Sequence, residues 1–283
     1  MSERGRLLIS CPDRPGIVAA VSQLLFEQRA NLVDSDQHTT DPDHGMFFMR
    51  VEFDLPELES RFSQLDGALE LLRQRFSMQA RLSREGQVKK VALFVSRQDH
   101  ALLELLWQWK AGDLKADLVA VVSNHPDLRE VVESYGVAFH HVPVTADTKR
   151  EAEARALELA GEADLVVLAR YMQILSPAFV AAFPQRIINI HHSFLPAFIG
   201  ANPYVQAYAR GVKLIGATAH YVTAELDQGP IIEQDVHRVG HRDDVDDLKR
   251  LGRQVERTVL ARAVRWHLED RVLVYGNKTV VFG

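Results

Sequence analysis

From Lys89 onward the chain alternates short apolar runs with amphipathic stretches, and that alternation constrains its fold more than any other feature. Lys89–Ser96, Asp117–Ser123, Val137–Val142, Asp164–Ala169 and Arg186–Ile190 have the length and apolar character of buried strands. Asp99–Lys110, Asp127–Tyr135 and Thr148–Ala160 carry apolar residues at helical spacing, and Gly136 and Gly161 stand where the last two would stop. Strands that alternate with helices pair in parallel. The reading is therefore α/β, a doubly wound, mostly parallel, Rossmann-like sheet. Ser176-Pro177 starts a further helix as cap and first residue, and Asn202-Pro203 another that Gly211 ends, after a loop over Pro196–Gly200. Lys213–Val222 and Pro230–Val236 add strands. Asp243, Asp244, Asp246 and Asp247 then open a long helix, where they complement its dipole and form no metal site. Arg271–Tyr275 and Lys278–Phe282 form a hairpin around Gly276-Asn277.

The residues in front follow a different order. Positions 4 to 83 read as βαββαβ, a ferredoxin-like unit. Arg6–Cys11 is a strand. Asp13 is placed to cap the next helix and Pro15 suits its first turn, with Ile17, Val18, Val21, Leu24 and Leu25 at helical spacing. Asn31–Thr40 and Met46–Phe53 are strands joined by a turn-rich segment. Glu57–Phe76 is an amphipathic helix with Leu58, Phe62, Leu65, Leu69 and Leu72 on one side, and Ser77–Ser83 closes the sheet. The expected domains are 1–84 and 89–283, with the polar residues 85–88 as linker.

Among the 283 residues 47% are hydrophobic and 25% charged, so both units have material for a core. A net charge of −5 without basic clusters gives no sign of a nucleic-acid partner. The single cysteine, Cys11, forms no internal disulfide and fits a reducing cytosol. No run has the length of a signal peptide core or a membrane span, so a cytoplasmic, membrane-free protein is expected. No Gly-x-Gly-x-x-Gly marks a dinucleotide cofactor. The pairs His140-His141 and His191-His192 point to opposite strand faces, and no His-Glu-x-x-His or Cys-x-x-Cys occurs, so no metal is expected.

Chemistry concentrates in Asn189-Ile190-His191 and in Leu226-Asp227-Gln228-Gly229-Pro230. Asn189 and His191 lie two apart near the end of a strand, so their side chains leave one face. In an open α/β sheet, ligands bind beyond such strand ends. An amide, an imidazole and a carboxylate can polarise a carbonyl, move a proton and hold the imidazole in place. Singly, each also reads as ordinary structure: a hydrogen-bonded strand histidine, and a turn at Asp-x-Gly-Pro.

The wording INIHHSFLP, GATAHYV and ELDQGPII closely resembles the folate-dependent formyl-transfer enzymes, from about Lys89 to the C-terminus. The resemblance implies Asn189, His191 and Asp227 as the catalytic trio. It also implies a folate pocket lined by Met172, Gln173, Ile174, Leu175, His220 and Val222; a loop packed on the core and an ordinary strand histidine are the alternatives for these positions. Ahead of it, SCPDRPGIVAAVSQLLFEQRANLVDSDQ is similar to an ACT domain. That implies an amino-acid effector near Asp13, Arg14, Gly16 and Asn31, with backbone N–H groups at the turn as anion contacts. It also implies pairing into a homo-oligomer; a purely structural domain without ligand is the alternative.

The segments that would bind a larger formyl acceptor are missing their usual residues. Ser96-Arg97-Gln98-Asp99-His100 has none of the glycines with which a glycinamide ribonucleotide transformylase cradles phosphate, and no tRNA-binding tail is evident. An ACT-like domain ahead of a formyl-transfer domain is the arrangement of formyltetrahydrofolate deformylases, whose wording HHSFLPAFIGANPY and VLVYGNKTVVF also resembles. Ala101 and Val205 depart from that family's pattern. The resemblance implies hydrolysis of 10-formyltetrahydrofolate, as substrate and not cofactor, to formate and tetrahydrofolate, feeding purine synthesis. Transfer to an amine, or folate or amino-acid sensing without turnover, are the competing readings.

Overall fold

The computed structural model describes residues 2–41, 43–196 and 203–283, so the loop expected over 197–200 and the cap expected at Asn202 lie outside the described residues. Contacts divide the chain into two units: Met1–Gln87 with Asp270–Leu273 and Val280–Gly283, and Val88–Glu269 with Val274–Thr279.

The first unit runs β1 (Ser2–Pro12), α1 (Ile17–Glu27), β2 (Asn31–Thr39), β3 (Met46–Pro56), α2 (Leu58–Phe76) and β4 (Gln79–Arg84). Its sheet is antiparallel, in the order β2-β3-β1-β4. Alternate residues of β1 and β3 (Leu7, Ile9, Met49, Val51, Phe53) meet Ile17, Val21 and Leu25 of α1 and Leu65, Leu69 and Leu72 of α2 in one core. The two periods, 2 along a strand and 3.6 along a helix, converge on that layer. Leu8, Phe48 and Arg50 occupy the opposite sheet face and are buried as well. There Arg50 Nε donates to the Asp270 carbonyl at 3.0 Å, and Ser83 Oγ donates to the Asp270 carboxylate at 2.8 Å. This unit thus holds C-terminal residues that the sequence places with the later strands.

Asp13 does not cap α1. The helix begins at Ile17 behind Gly16, whose φ of 95° is left-handed and whose turn has no side-chain cap. Pro15 and Gly16 turn the chain before the first helical residue, which leaves Asp13 too far upstream to reach the N2 or N3 amide. Its carboxylate instead accepts from Thr39 Oγ1 at 2.6 Å, and its N–H donates to the Gly45 carbonyl at 2.9 Å.

The second unit runs β5 (Lys89–Val95), α3 (His100–Ala111), β6 (Ala116–Ser123), α4 (Arg129–Ser134), β7 (Phe139–His141), α5 (Lys149–Ala160), β8 (Leu165–Ala169), α6 (Pro177–Ala182), β9 (Ile187–His191), α7 (Pro203–Arg210), β10 (Leu214–Tyr221), β11 (Ile231–Arg238) and α8 (Val245–Leu268). The short hairpin of β12 (Val272–Tyr275) and β13 (Lys278–Val281) ends the chain. The order β11-β10-β9-β8-β5-β6-β7 is parallel from β9 to β7 and antiparallel at β10 and β11. β8 is buried throughout, as a strand covered on both faces must be. On one face Ala92, Phe94, Val122 and Val166 pack with Ala152, Ala156 and Ala160 of α5 and Phe179 of α6. Phe94 meets Tyr171 and Phe179 edge to face, with centroids 5.2 and 5.9 Å apart. On the other side α8 packs against β9, β10, β11 and α3.

A second helix departs from the sequence reading, and α8 opens on its acidic cluster as expected. α4 is shorter than expected, because Asp127 and Leu128 lie in a turn closed by the Arg129 N–H on the Pro126 carbonyl. At the start of α8 the acidic cluster forms a reciprocal cap: Asp244 accepts from the Asp246 and Asp247 amides, and the Asp247 carboxylate accepts from the Asp244 amide. Among the described residues no helix is long and apolar enough to cross a membrane, and no group of three or more His, Cys, Asp or Glu is arranged to hold a metal.

Candidate active site

Antiparallel pairing of β9 with β10 sets Asn189 opposite His220 and His191 opposite Thr218. Directly paired residues share a face, so these four side chains gather at the C-terminal end of β9. Asn189 Nδ2 lies 3.2 Å from His220 Nε2, and His220 Nδ1 lies 3.0 Å from the Tyr221 carbonyl oxygen. A carbonyl only accepts, which puts the His220 proton on Nδ1 and leaves Nε2 to accept from the Asn189 amide. The second hydrogen of that amide remains for another acceptor. Thr218 is fully buried and fixes the chain beyond β9: its hydroxyl donates to the Ser193 carbonyl at 2.9 Å and accepts from the Leu195 amide at 3.0 Å.

The carboxylate arrives from the loop between β10 and β11. That loop closes with the Tyr221 amide on the Pro230 carbonyl at 2.9 Å, and a Cβ on Gly229 would fall 1.7 Å from the Tyr221 carbonyl oxygen. Only glycine permits so close an approach. Two residues earlier Asp227 adopts a left-handed φ of 55°, a conformation that Asp and Asn tolerate better than most side chains. Its Oδ2 lies 3.2 Å from His191 Nδ1, and its Oδ1 lies 3.6 Å from His220 Nε2. The first distance is a hydrogen bond and the second is too long for one. Burial by itself would push the Asp227 carboxyl up. The contact with His191 and the neighbouring His220 imidazole outweigh it and hold the group well below the ordinary carboxylate range. With Nδ1 committed to Asp227, His191 is left with a buried Nε2 that has no hydrogen-bond partner.

Asn189, His220 and Asp227 line a cleft of about 440 Å³, part of it open to solvent. Gln173, Ile174 and Leu175 form one wall, and the segment from Val222 to Leu226 forms the other. Five of the six residues implied for the folate pocket therefore border one space. Met172 does not: its side chain is 60% exposed and absent from the lining. Arg170 and Met172 have φ of 65° and 57°, and between them the Tyr171 ring is buried against Phe94. His191 contributes through Asp227 and does not itself line the cleft.

The four residues of the front unit are less convergent. Arg14 donates to the Arg75 carbonyl and lies 4.7 Å over the Phe76 ring, and Asn31 pairs with Asp54 at the sheet edge. The Asp13 amide, expected as an anion contact, is occupied by Gly45. The two departures from the family pattern fall apart from the trio, Ala101 buried in α3 and Val205 half-exposed on α7.

One buried cluster escaped the sequence. Glu256 of α8, 1% exposed, lies 2.8 Å from His100 Nε2 and 3.5 Å from Arg170 Nε, and it accepts from Tyr204 Oη at 2.7 Å. Burial opposes its charge, but His100, Arg170 and Tyr204 outweigh that and hold its carboxyl below the usual range. Its members come from four separate segments with no common spacing, and only the polar residue on the inner face of an otherwise apolar helix hints at it.

The chain is similar to known proteins along its length. Residues 89–264 match the formyl transferase family model, and residues 5–67 match the ACT domain model. The formyltetrahydrofolate deformylase of Bacillus subtilis is 56% identical over 282 residues, 99% of this chain and 94% of that protein. That of Synechocystis is 53% identical, over 98% and 97% of the two chains. The crystal structure of a formyltetrahydrofolate deformylase from Pseudomonas syringae superposes with a TM-score of 0.95 at 49% identity, covering 100% of this chain and 95% of that one. The chain belongs to the formyltetrahydrofolate deformylase family.

Proposed function

We propose that this chain hydrolyses 10-formyltetrahydrofolate to formate and tetrahydrofolate, with Asn189, His191 and Asp227 as the catalytic groups. The observation that carries the roles is the 3.2 Å contact of Asp227 with His191 Nδ1, made where Asn189 and Asp227 both border the cleft. The formyl oxygen lies against the free hydrogen of the Asn189 amide, and the His191 imidazole, held through Nδ1 by Asp227, stands behind that contact. The amide strengthens its hold as that oxygen becomes an oxyanion. Water attacks the formyl carbon, Asp227 orients it and takes its proton, and the bond to N10 breaks as N10 is protonated. The pterin ring lies along Ile174, Leu175 and Val222, which supply the apolar walls a flat heteroaromatic ring needs. An amino acid bound by the ACT domain adjusts the rate.

The test is to incubate the protein with 10-formyltetrahydrofolate and no amine. Formate and tetrahydrofolate in equal amounts are expected. A requirement for an amine before any formyl group leaves the folate would replace this reading with the transferase alternative.

A further inference from the structure

We propose that the buried cluster of Glu256, Arg170, His100 and Tyr204 selects water as the formyl acceptor, by filling with protein side chains the crevice through which a larger acceptor would reach the reacting carbon. This rests on the deformylase reading and adds the residues that decide its acceptor.

The cluster lies at the switch point of the sheet. From β5 the sheet grows to β6 and β7 on one side and to β8 and β9 on the other, so β5 and β8 flank the point where the strand order reverses. The crevice beyond the carboxyl ends of such strands is where open α/β sheets receive ligands. Here the segments leaving β5 and β8 close on each other: the Ser96 amide donates to the Arg170 carbonyl at 3.2 Å, and Arg170 Nε lies 3.2 Å from Gln98 Oε1. Arg170 and His100 are 6% and 8% exposed. The cluster is one side chain from the candidate centre, since the His192 ring lies 5.2 Å from that of His191 and 6.1 Å from that of Tyr204.

The cluster is also costly to keep. A buried ion pair is weak support for stability, because well-packed apolar side chains of similar volume serve as well or better. The chain also gives up helix propensity to build this one. Gly252 lies inside α8, where glycine is a poorer helix former than alanine, and a Cβ there would fall 2.0 Å from Tyr204 Oη. Arg170 holds a left-handed φ of 65° that a bulky residue rarely adopts. Its Nη1 is buried without a hydrogen-bond partner, so this guanidinium is not fully satisfied by the fold that holds it. Strain and unmet polarity kept beside a reaction centre point to function.

The test opens the crevice and measures where the formyl group goes. Arg170→Gly suits the observed φ, and combining it with Glu256→Gln leaves no unpaired buried carboxylate. Each enzyme receives saturating 10-formyltetrahydrofolate with and without glycinamide, a small primary amine. In the transfer the amine nitrogen bonds to the formyl carbon, the bond to N10 breaks, and the proton lost by the amine goes to N10. Formate and N-formylglycinamide are quantified, corrected for the uncatalysed reaction. The ratio of products does not depend on how much enzyme is folded. Wild type is expected to give formate alone, and the double variant to raise the N-formylglycinamide share at least about tenfold over the wild-type background. If the double variant does not fold, Arg170→Gly alone, in which Glu256 keeps His100 and Tyr204, is read the same way. A folded variant that still yields formate alone overturns the proposal. So does a folded variant with no turnover at all, which would place the cluster in the reaction itself. Failure of wild type to release formate without amine would refute the deformylase reading instead.

Discussion

Replacing Asp227 by Asn isolates the carboxylate's charge and basicity from its shape. The backbone at this position has a φ of 55°, which Asn adopts as readily as Asp, and an amide oxygen can still accept from His191 Nδ1 at the observed 3.2 Å. The variant therefore folds. It loses the group that takes a proton from water, and loss of a general base costs about 10²–10⁴-fold, or roughly 2.7–5.4 kcal/mol in the barrier. The loss falls on kcat with KM little changed, because folate contacts along Ile174, Leu175 and Val222 are untouched. Stability changes less: a hydrogen bond to a charged group contributes about 1.5–3 kcal/mol. Its pH dependence has a definite sign. The folded-state carboxyl is held below its unfolded value, so its contribution is complete above about pH 4 and fades as pH falls further. Wild type and variant should differ most in denaturation midpoint near neutrality, and the difference should begin to shrink below about pH 4. Formate release followed at several substrate concentrations measures the rate, and calorimetry between pH 3 and 7 measures the stability. A variant within about tenfold of wild-type kcat would refute the role given to this carboxylate.

Other outcomes follow from single positions. Gly252→Ala gains helix propensity of about 1 kcal/mol but drives a Cβ into the Tyr204 ring, whose Cζ lies 2.5 Å away; net destabilisation, read as a lower calorimetric midpoint, is expected. Cys11 is 1% exposed and burial pushes its thiol up to about 11, so a thiol reagent at pH 8 should label it only after unfolding. Ile174→Ala removes apolar contact from the cleft wall and should lower kcat/KM about fivefold, roughly 1 kcal/mol, whereas Met172→Ala, with its side chain turned to solvent, should leave kcat/KM unchanged in the same assay. Screening amino acids against the intact chain should raise its thermal midpoint for an effector of the ACT domain; flat profiles throughout would count against regulation there.

The architecture was legible because its signals are local and periodic. Apolar runs such as Leu165–Ala169 announce a doubly covered strand, and Ser176-Pro177 announces a helix start that Ser176 indeed caps. The meeting of Asn189, His191 and Asp227 was readable in part: residue spacing puts the first two on one strand face, while the loop that delivers Asp227 came from the resemblance. What misled was geometry that spacing does not encode. Asp13 looks like a cap, yet the left-handed Gly16 already turns the chain into α1. Met172 looks like a pocket wall, yet it is absent from the cleft lining that its neighbours Gln173, Ile174 and Leu175 form. The Glu256 cluster was invisible, because His100, Arg170, Tyr204 and Glu256 meet only after four elements have packed.

The most direct measurement is turnover of 10-formyltetrahydrofolate in water enriched with heavy oxygen, with the released formate analysed by mass spectrometry. If solvent is the acceptor at the Asn189, His191 and Asp227 centre, each formate carries a single solvent-derived oxygen and Asp227→Asn suppresses its appearance. Formate without label, or a formyl group that leaves the folate only when an amine is supplied, would contradict the account.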